Sequence, residues 1–529
     1  MQAEVPANRT ATTEKVWLLP AGLHALPDGF AASLPGIMVP LRPQRGWITF
    51  CDTYDWELHF SGLALLHRAG QLLLCHAGRC SSRSALVVHP WKGPPPSSIA
   101  ALGDCDLRRE VERVTELTAL LPVARVRRLI QPVEYRNTAG RLVLRLRLES
   151  YYRTPSCAEP LVTRLRLSPC GGSAEDEDAF SSRLLEAGLR EAEPASQGAV
   201  LPHLCGIPEP TAIRPQLQCP PTTACRPAVL GLAVAMLAST RRYEAGIAAD
   251  IEVECLHRYR VLLRRTRSLL GLMKGILPAD DMQSLRQELA LIGAPTNRLR
   301  DIDVFLALLP DYEALIPEPL RPGLAGVAAE ARRQRGLERG RVLNLLRSPG
   351  YATRMDRLVA ACAVPDRYPS TPAAVEPVGK VARRRIRKQC RLVLGAITSL
   401  RPDAVSDSEL HRLRLAVKKA RYLLEIFGGF FDPDAVALLT GRCRQLQGAL
   451  GDGNDLGAQQ GQVLAQLERR SAATASVLET AAVGALAGAL FVRQRVARKA
   501  VSESLDRFVG RKTRRALRHF RAAGTEGGT

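Results

Sequence analysis

The phrase "LHRYRVLLRRTRSLL", beginning at Leu256, returns as "LHRLRLAVKKARYLL" at Leu410, 154 residues later. Any fold for this chain must place the same basic, amphipathic segment twice. On a helix of about 100° per residue, His257, Arg260, Arg264 and Arg267 fall within an arc of about 80°, with Arg265 at its flank. Leu262, Leu263, Leu269 and Leu270 crowd the opposite side. In the second copy His411, Arg414, Lys418 and Arg421 share one stripe, Lys419 flanks it, and Leu413, Val417, Leu423 and Leu424 oppose it. Each phrase therefore has an apolar back for a core and a cationic front. Asp301 follows His257 by 44 residues and Asp455 follows His411 by the same 44. The spacing predicts two copies of a helical unit related by an approximate two-fold.

The surrounding sequence agrees with an all-α C-terminal half. From Pro227 onward strand signals almost vanish. Leu/Ala/Arg-rich segments are broken by Pro or Gly near positions 278, 295, 310, 349, 365–377, 402, 433 and 451. The chain carries a formal charge of +22, and residues from Leu230 onward hold 49 Lys and Arg against 30 Asp and Glu. The basic excess thus belongs to the helical half and points to a polyanionic partner: nucleic acid, an anionic membrane or polyphosphate. Neither phrase contains Asp or Glu before Glu425, so like charges repel along each stripe. Retaining such a face twice is reasonable where an anion fills the gap, with Arg offering planar forks to phosphate and Lys a point charge. The run "KVARRRIRKQCR" adds a third stripe through Arg384, Lys388 and Arg391.

Residues 1–192 read differently. "RLVLRLRLESYY" (Arg141–Tyr152) and "LVTRLRLSP" (Leu161–Pro169) alternate with period 2, as strands do. "WITFCDTYDWELHF" and "LALLHRAGQLLLCHA" read as further strands joined at a glycine turn. Helices are expected over Asp106–Leu121 and from near Asp178. An α+β domain rich in antiparallel strands follows from this pattern. A Pro-rich linker over 193–225 separates it from a helical domain over 226–522, whose repeat units divide at about 375 and 376.

Thirteen cysteines without a C-x-x-C pair or zinc spacing suggest reduced thiols in a cytoplasmic protein. No signal-peptide pattern opens the chain. The most apolar late stretch, Ala481–Val492, is about twelve residues, short of the roughly 20 a bilayer span needs. His257 and His411 either contact phosphate or make structural hydrogen bonds, since neither has a His or carboxylate three or four residues on to share a metal. Asp301 and Asp303, in "RDID", read as helix-capping or Arg-holding residues rather than a metal pair. No cofactor is called for.

The two phrases resemble the signature helices of the CHAD family, the conserved histidine α-helical domain. "RLRDIDVFL", "LLRSPGY" and "LQGALGDGNDL" sit where that family carries further motifs, and the likeness spans roughly residues 226–522. The resemblance implies an antiparallel helical bundle in two pseudo-symmetric halves, binding inorganic polyphosphate and, in bacteria, associating with polyphosphate granules. By position it implies phosphate contact by His257, Arg260, Arg264, Arg265, Arg267, His411, Arg414, Lys418, Lys419 and Arg421, with Arg384 and Lys388 as additions. "FCDTYDWELHFSGLALLHR" is similar to a segment of the CYTH family, the triphosphate tunnel fold, which often precedes a CHAD domain. The CYTH acidic pattern is missing: Glu14 and Lys15 stand adjacent, and "TRLRL" puts Arg164 and Arg166 where E-x-E is expected. Metal-assisted phosphoryl chemistry needs converging carboxylates. The expectation is a degenerate CYTH-like fold without hydrolase activity. Two alternatives stay open: a triphosphate or polyphosphate hydrolase in the N-terminal domain, and nucleic-acid binding. The latter usually wants aromatics among the basic residues, and only Tyr422 approaches either stripe.

Overall fold

The computed structural model describes residues 15–20, 23, 25–68, 70–76, 85–153, 157, 159–170, 174–192, 216–400, 407–469 and 476–520. The chain divides into two compact units, within 1–212 and 213–529.

The first unit is built on one antiparallel sheet. Its strands are β1 (Lys15–Leu18), β2 (Ile37–Pro40), β3 (Gln44–Asp52), β4 (Leu63–Arg68), β5 (Gln71–His76), β6 (Ala85–Pro90), β7 (Leu121–Arg136), β8 (Leu142–Tyr152), β9 (Val162–Pro169) and β10 (Arg190–Glu191). They lie in the order β10-β1-β9-β8-β7-β3-β4-β5-β6, with β2 also on β7. The period-2 pattern decides what each face carries. Leu144, Leu146 and Leu148 of β8 and Leu165 and Leu167 of β9 pack with Phe180 and Leu184 of helix α3 (Ala174–Glu186). The alternate residues, Glu149, Arg164 and Arg166, take the opposite face, where Glu149 pairs in register with Arg164, and Arg147 with Arg166.

Two of the expected elements are shorter than the sequence suggested. "DWELHF" does not continue β3 but turns into the short helix α1 (Glu57–Phe60). The Asp52 carboxylate accepts hydrogen bonds from the backbone N–H groups of Thr53, Leu58 and His59, which halts the strand and starts the turn. Helix α2 ends at Glu112 (Asp106–Glu112) rather than at Leu121. Gly70, at φ +77°, makes the turn between β4 and β5.

The second unit is helical: α4 (Cys225–Ala249), α5 (Val253–Leu272), α6 (Ala279–Gly293), α7 (Asn297–Ala307), α8 (Leu309–Leu315), α9 (Leu324–Leu346), α10 (Pro349–Ala363), α11 (Pro372–Val375), α12 (Val378–Thr398), α13 (Asp407–Phe427), α14 (Pro433–Arg469), α15 (Val477–Val509) and α16 (Arg511–Ala516), with short 3-10 turns between some of them. The first basic phrase lies on α5 and the second on α13. Their apolar backs are buried as the 3.6-residue period requires: Leu256, Tyr259, Leu262, Leu263, Leu269 and Leu270 on α5, and Leu413, Val417, Leu423, Leu424 and Phe427 on α13. Helix α5 packs on α4 and α6, α13 packs on α12 and α14, and α5 and α13 touch each other.

Gly451 does not break the chain. Helix α14 runs through it without interruption, because α15 lies along α14 and supplies packing that outweighs the roughly 1 kcal/mol a mid-helix glycine costs. The apolar stretch on α15 is also longer than twelve residues. Val477–Val496 is one segment long and apolar enough to cross a membrane, a third of it buried inside the unit. Ala482, Val483, Leu486 and Leu490 on it pack against Ile302, Phe305 and Leu324.

Candidate polyanion-binding site

The cationic fronts of α5 and α13 meet at Tyr422. The Arg264 side chain of α5 acts on its hydroxyl from across the helix pair. Lys418 Nζ stands 5.8 Å and Arg421 Cζ 5.4 Å from the centre of the Tyr422 ring. Burial raises the Tyr422 phenol, yet Arg264, Lys418 and Arg421 outweigh it and hold the group below its ordinary value. Burial lowers the Lys418 ammonium, and Arg264, Arg414 and Arg421 lower it further, with Tyr422 opposing. Cations from both helices thus press on one another around a single aromatic ring.

A second cluster adjoins it along α5. Burial, then Arg300, Arg264, Arg258 and Arg260, hold the His257 imidazole down to about 4. Glu254, one turn earlier, lies 3.9 Å from His257 Nε2. Arg260 is likewise lowered by burial, with Arg264 and Arg300 adding to it and Asp301 opposing. Its guanidinium is fixed by Thr296 Oγ1 at 2.8 Å and Asn297 Oδ1 at 2.7 Å, at the start of α7. Arg300, on α7, is a cation that the sequence reading missed. The "RLRD" run preceding Asp301 was its only signal. Its neighbour Arg298 lies 3.2 Å from Glu338, so that charge is compensated.

Three guanidinium nitrogens in this region, the Nε atoms of Arg264, Arg265 and Arg421, are buried and make no hydrogen bond. A buried donor without an acceptor costs about 1–3 kcal/mol, so these groups are suited to a ligand rich in acceptor oxygens. One carboxylate is near: Glu425 stands 3.8 Å from Arg265, 3.8 Å from Arg421 and 3.2 Å from Arg444 of α14.

The remaining named residues are distributed more widely. His411, Lys419 and Arg267 are exposed, and Arg414 is half-buried. Arg384 is bound to Glu376 on two oxygens, at 2.8 and 3.3 Å, so most of its charge is already answered within α11–α12 and the turn between them. Lys388 is exposed on α12. Asp303 is buried and hydrogen-bonded to Arg335 at 2.7 Å, which in turn holds Asp250. That is the Arg-holding role expected of it. The Asp455 side chain lies outside the described residues, as does Glu14.

In the sheet unit, Arg164 Nε and Arg166 Nε both donate to Glu149 Oε2, at 2.9 and 3.1 Å, and Arg128 stands 3.9 Å from Oε1. Burial works against ionisation, but Arg164, Arg166 and Arg128 hold the Glu149 carboxyl well below the usual range. Arg164 also contacts the Tyr151 hydroxyl. Asp52 is spent on the α1 turn, and burial pushes it up to about 7 against its three N–H donors. Glu57 accepts the backbone N–H groups of Glu116 and Leu117. Among the described residues no three His, Cys, Asp or Glu side chains stand together as a metal site would need.

Comparison with known proteins locates this arrangement. The family model for the CHAD domain matches residues 232–464. The helical unit carries a CHAD domain. The match runs from within α4 to near the end of α14 and includes both signature helices; α15 and α16 lie beyond it. A crystal structure of the CHAD domain from the plant Ricinus communis is similar at 24% identity and a TM-score of 0.45, covering 55% of this chain and 95% of that one. PptA from Streptomyces chartreusis is similar at 20% identity and a TM-score of 0.41, covering 53% and 99%. No curated protein matches the chain.

Proposed function

We propose that the CHAD domain binds inorganic polyphosphate, a linear polyanion, across the cationic fronts of α5 and α13, and that the chain performs no chemistry on it. The observation that carries this reading is the meeting of Arg264, Lys418 and Arg421 around Tyr422, with buried guanidinium donors still lacking acceptors. A phosphate chain supplies many acceptor oxygens and a negative charge at each repeat, matching Arg forks and relieving the repulsion that depresses Lys418 and His257. The family is one associated with polyphosphate binding. The chain would act in the cytoplasm, at polyphosphate granules where these form.

Nucleic acid fits less well. Tyr422 is 4% exposed and its ring is already faced by Lys418 and Arg421, so this ring offers no free face for base stacking. Hydrolysis in the sheet unit fits less well too, since Asp52, Glu57 and Glu149 are each engaged within the fold.

Binding of polyphosphate at 50 and 200 mM salt tests the proposal. Affinity is expected to fall steeply between the two, because binding releases condensed counterions. Arg264→Glu with Lys418→Glu is expected to abolish binding while the far-UV circular dichroism stays helical. Salt-independent binding, tighter binding of charge-matched RNA or DNA, or phosphate release above a metal-free control would each overturn it.

A further inference from the structure

Glu425 stands out because it is the first acid after the second basic phrase and lies where that phrase meets the first. Its carboxylate faces guanidinium groups from three helices: Arg265 on α5, Arg421 on α13 and Arg444 on α14. The distances differ in kind. Arg444 makes a hydrogen bond at 3.2 Å. Arg265 and Arg421, both at 3.8 Å, are close enough for charge to be felt but too far for a hydrogen bond. Their Nε atoms remain buried without an acceptor. One carboxylate therefore offsets the charge of this corner without satisfying its donors.

We propose that Glu425 is a tethered rival of the bound anion, occupying the Arg265–Arg421 corner until a phosphate group replaces it there. This deepens the polyphosphate reading and rests on it. A phosphate group brings more acceptor oxygens and more charge than a carboxylate, so it can satisfy donors that Glu425 leaves open. Arg444 gives the displaced carboxylate somewhere to stay: its side chain is 62% exposed and already hydrogen-bonded to Glu425. The arrangement sets a threshold. An anion of low charge density does not displace the resident carboxylate, whereas a phosphate chain held by Arg264 and Lys418 next to this corner does. Glu425 is thus a specificity-determining residue of the site.

The test uses the full chain with Glu425→Gln and, as a charge-preserving control, Glu425→Asp. Polyphosphate affinity at low salt is expected to rise about threefold to tenfold in Glu425→Gln. The slope of log affinity against log salt should steepen by about 0.7, the value for one more phosphate contact on a flexible chain. Glu425→Asp should keep the wild-type slope. A second arm compares orthophosphate with chloride at equal ionic strength. Orthophosphate should raise the melting temperature of Glu425→Gln by about 3 °C more than that of the wild type. Unchanged or weaker polyphosphate binding with an unchanged slope, in a variant that still melts cooperatively, would reduce Glu425 to a structural brace. If no form binds polyphosphate, the second arm still decides. An extra orthophosphate shift in Glu425→Gln then supports the rivalry while the polyphosphate reading falls; equal shifts overturn the rivalry.

Discussion

Arg264 on α5 acts electrostatically on the phenol of Tyr422 on α13 and lowers it, so one side-chain pair links the two helices that carry the repeated phrase. The pair includes an Arg whose Nε is left without an acceptor. Tyr422→Phe keeps the ring beside Lys418 and Arg421 but removes the hydroxyl near Arg264. A buried polar contact of this kind contributes about 0.5–1.5 kcal/mol net. Urea unfolding should therefore register a loss near the lower end of that range, and polyphosphate should restore part of it by offering Arg264 an acceptor.

The depressed imidazole of His257 gives the domain a pH signature. In the unfolded chain a histidine titrates near 6.5, whereas His257 in the fold titrates at about 4. Between those values the unfolded state binds the proton and the folded state does not. The neutral fold is thus favoured above pH 6.5, and stability falls as pH drops from about 6.5 toward 4. An anion beside His257 raises its pKa again, so binding takes up a proton and tightens as pH falls through this window. Melting curves and calorimetry in buffers of differing ionisation heat should show both effects, and His257→Gln should diminish both.

Glu149 holds the sheet unit together by charge. Arg164 and Arg166 are 5% and 0% exposed, and this carboxylate lies within hydrogen-bonding distance of both. Glu149→Leu leaves buried guanidinium charge without its carboxylate and should cost about 3–5 kcal/mol in chemical denaturation, with the helical unit largely unaffected. Because the Glu149 carboxyl is held below its unfolded value, its contribution is present above the unfolded pKa of about 4.3 and is lost as pH falls below that.

Gly323 lies just before α9, against the start of α15. A Cβ there would come within 2.5 Å of the Leu478 carbonyl oxygen and 2.8 Å of Ala482 Cβ. The first is backbone and cannot rotate aside. Gly323→Ala should lower the melting temperature by about 4–8 °C through displacement of α15, a penalty of about 1–3 kcal/mol for overpacking.

Where sequence reading succeeded and where it stopped follows from how far each signal reaches along the chain. The helices bearing the two phrases were legible because burial of Leu262, Leu263, Leu423 and Leu424 repeats every helical turn. The strands β8 and β9 were legible because Leu and Arg alternate. Asp52 was not legible as a strand terminator, since its role depends on the chain returning six and seven residues later to offer Leu58 and His59 N–H groups. Arg300 was missed because it joins the His257 cluster only through the packing of α7 on α5. The third stripe on α12 looked equivalent to the others by spacing, but Glu376, eight residues before Arg384, answers the charge of Arg384 through a local turn. Glu425 was visible only as the residue where acid-free sequence ended; its three arginines come from three different helices.

The two histidines that head the repeated phrases occupy unlike surroundings, His257 half-buried among arginines and His411 exposed. The two phrases share their residue pattern, but the packing around each decides how wet its imidazole is. A linear phosphate chain reads the same from head or tail, whereas the protein beneath it does not. Laid across both helices, such a polymer would lose its mirror equivalence, and chemically identical phosphorus atoms at its opposite termini would give separate NMR resonances.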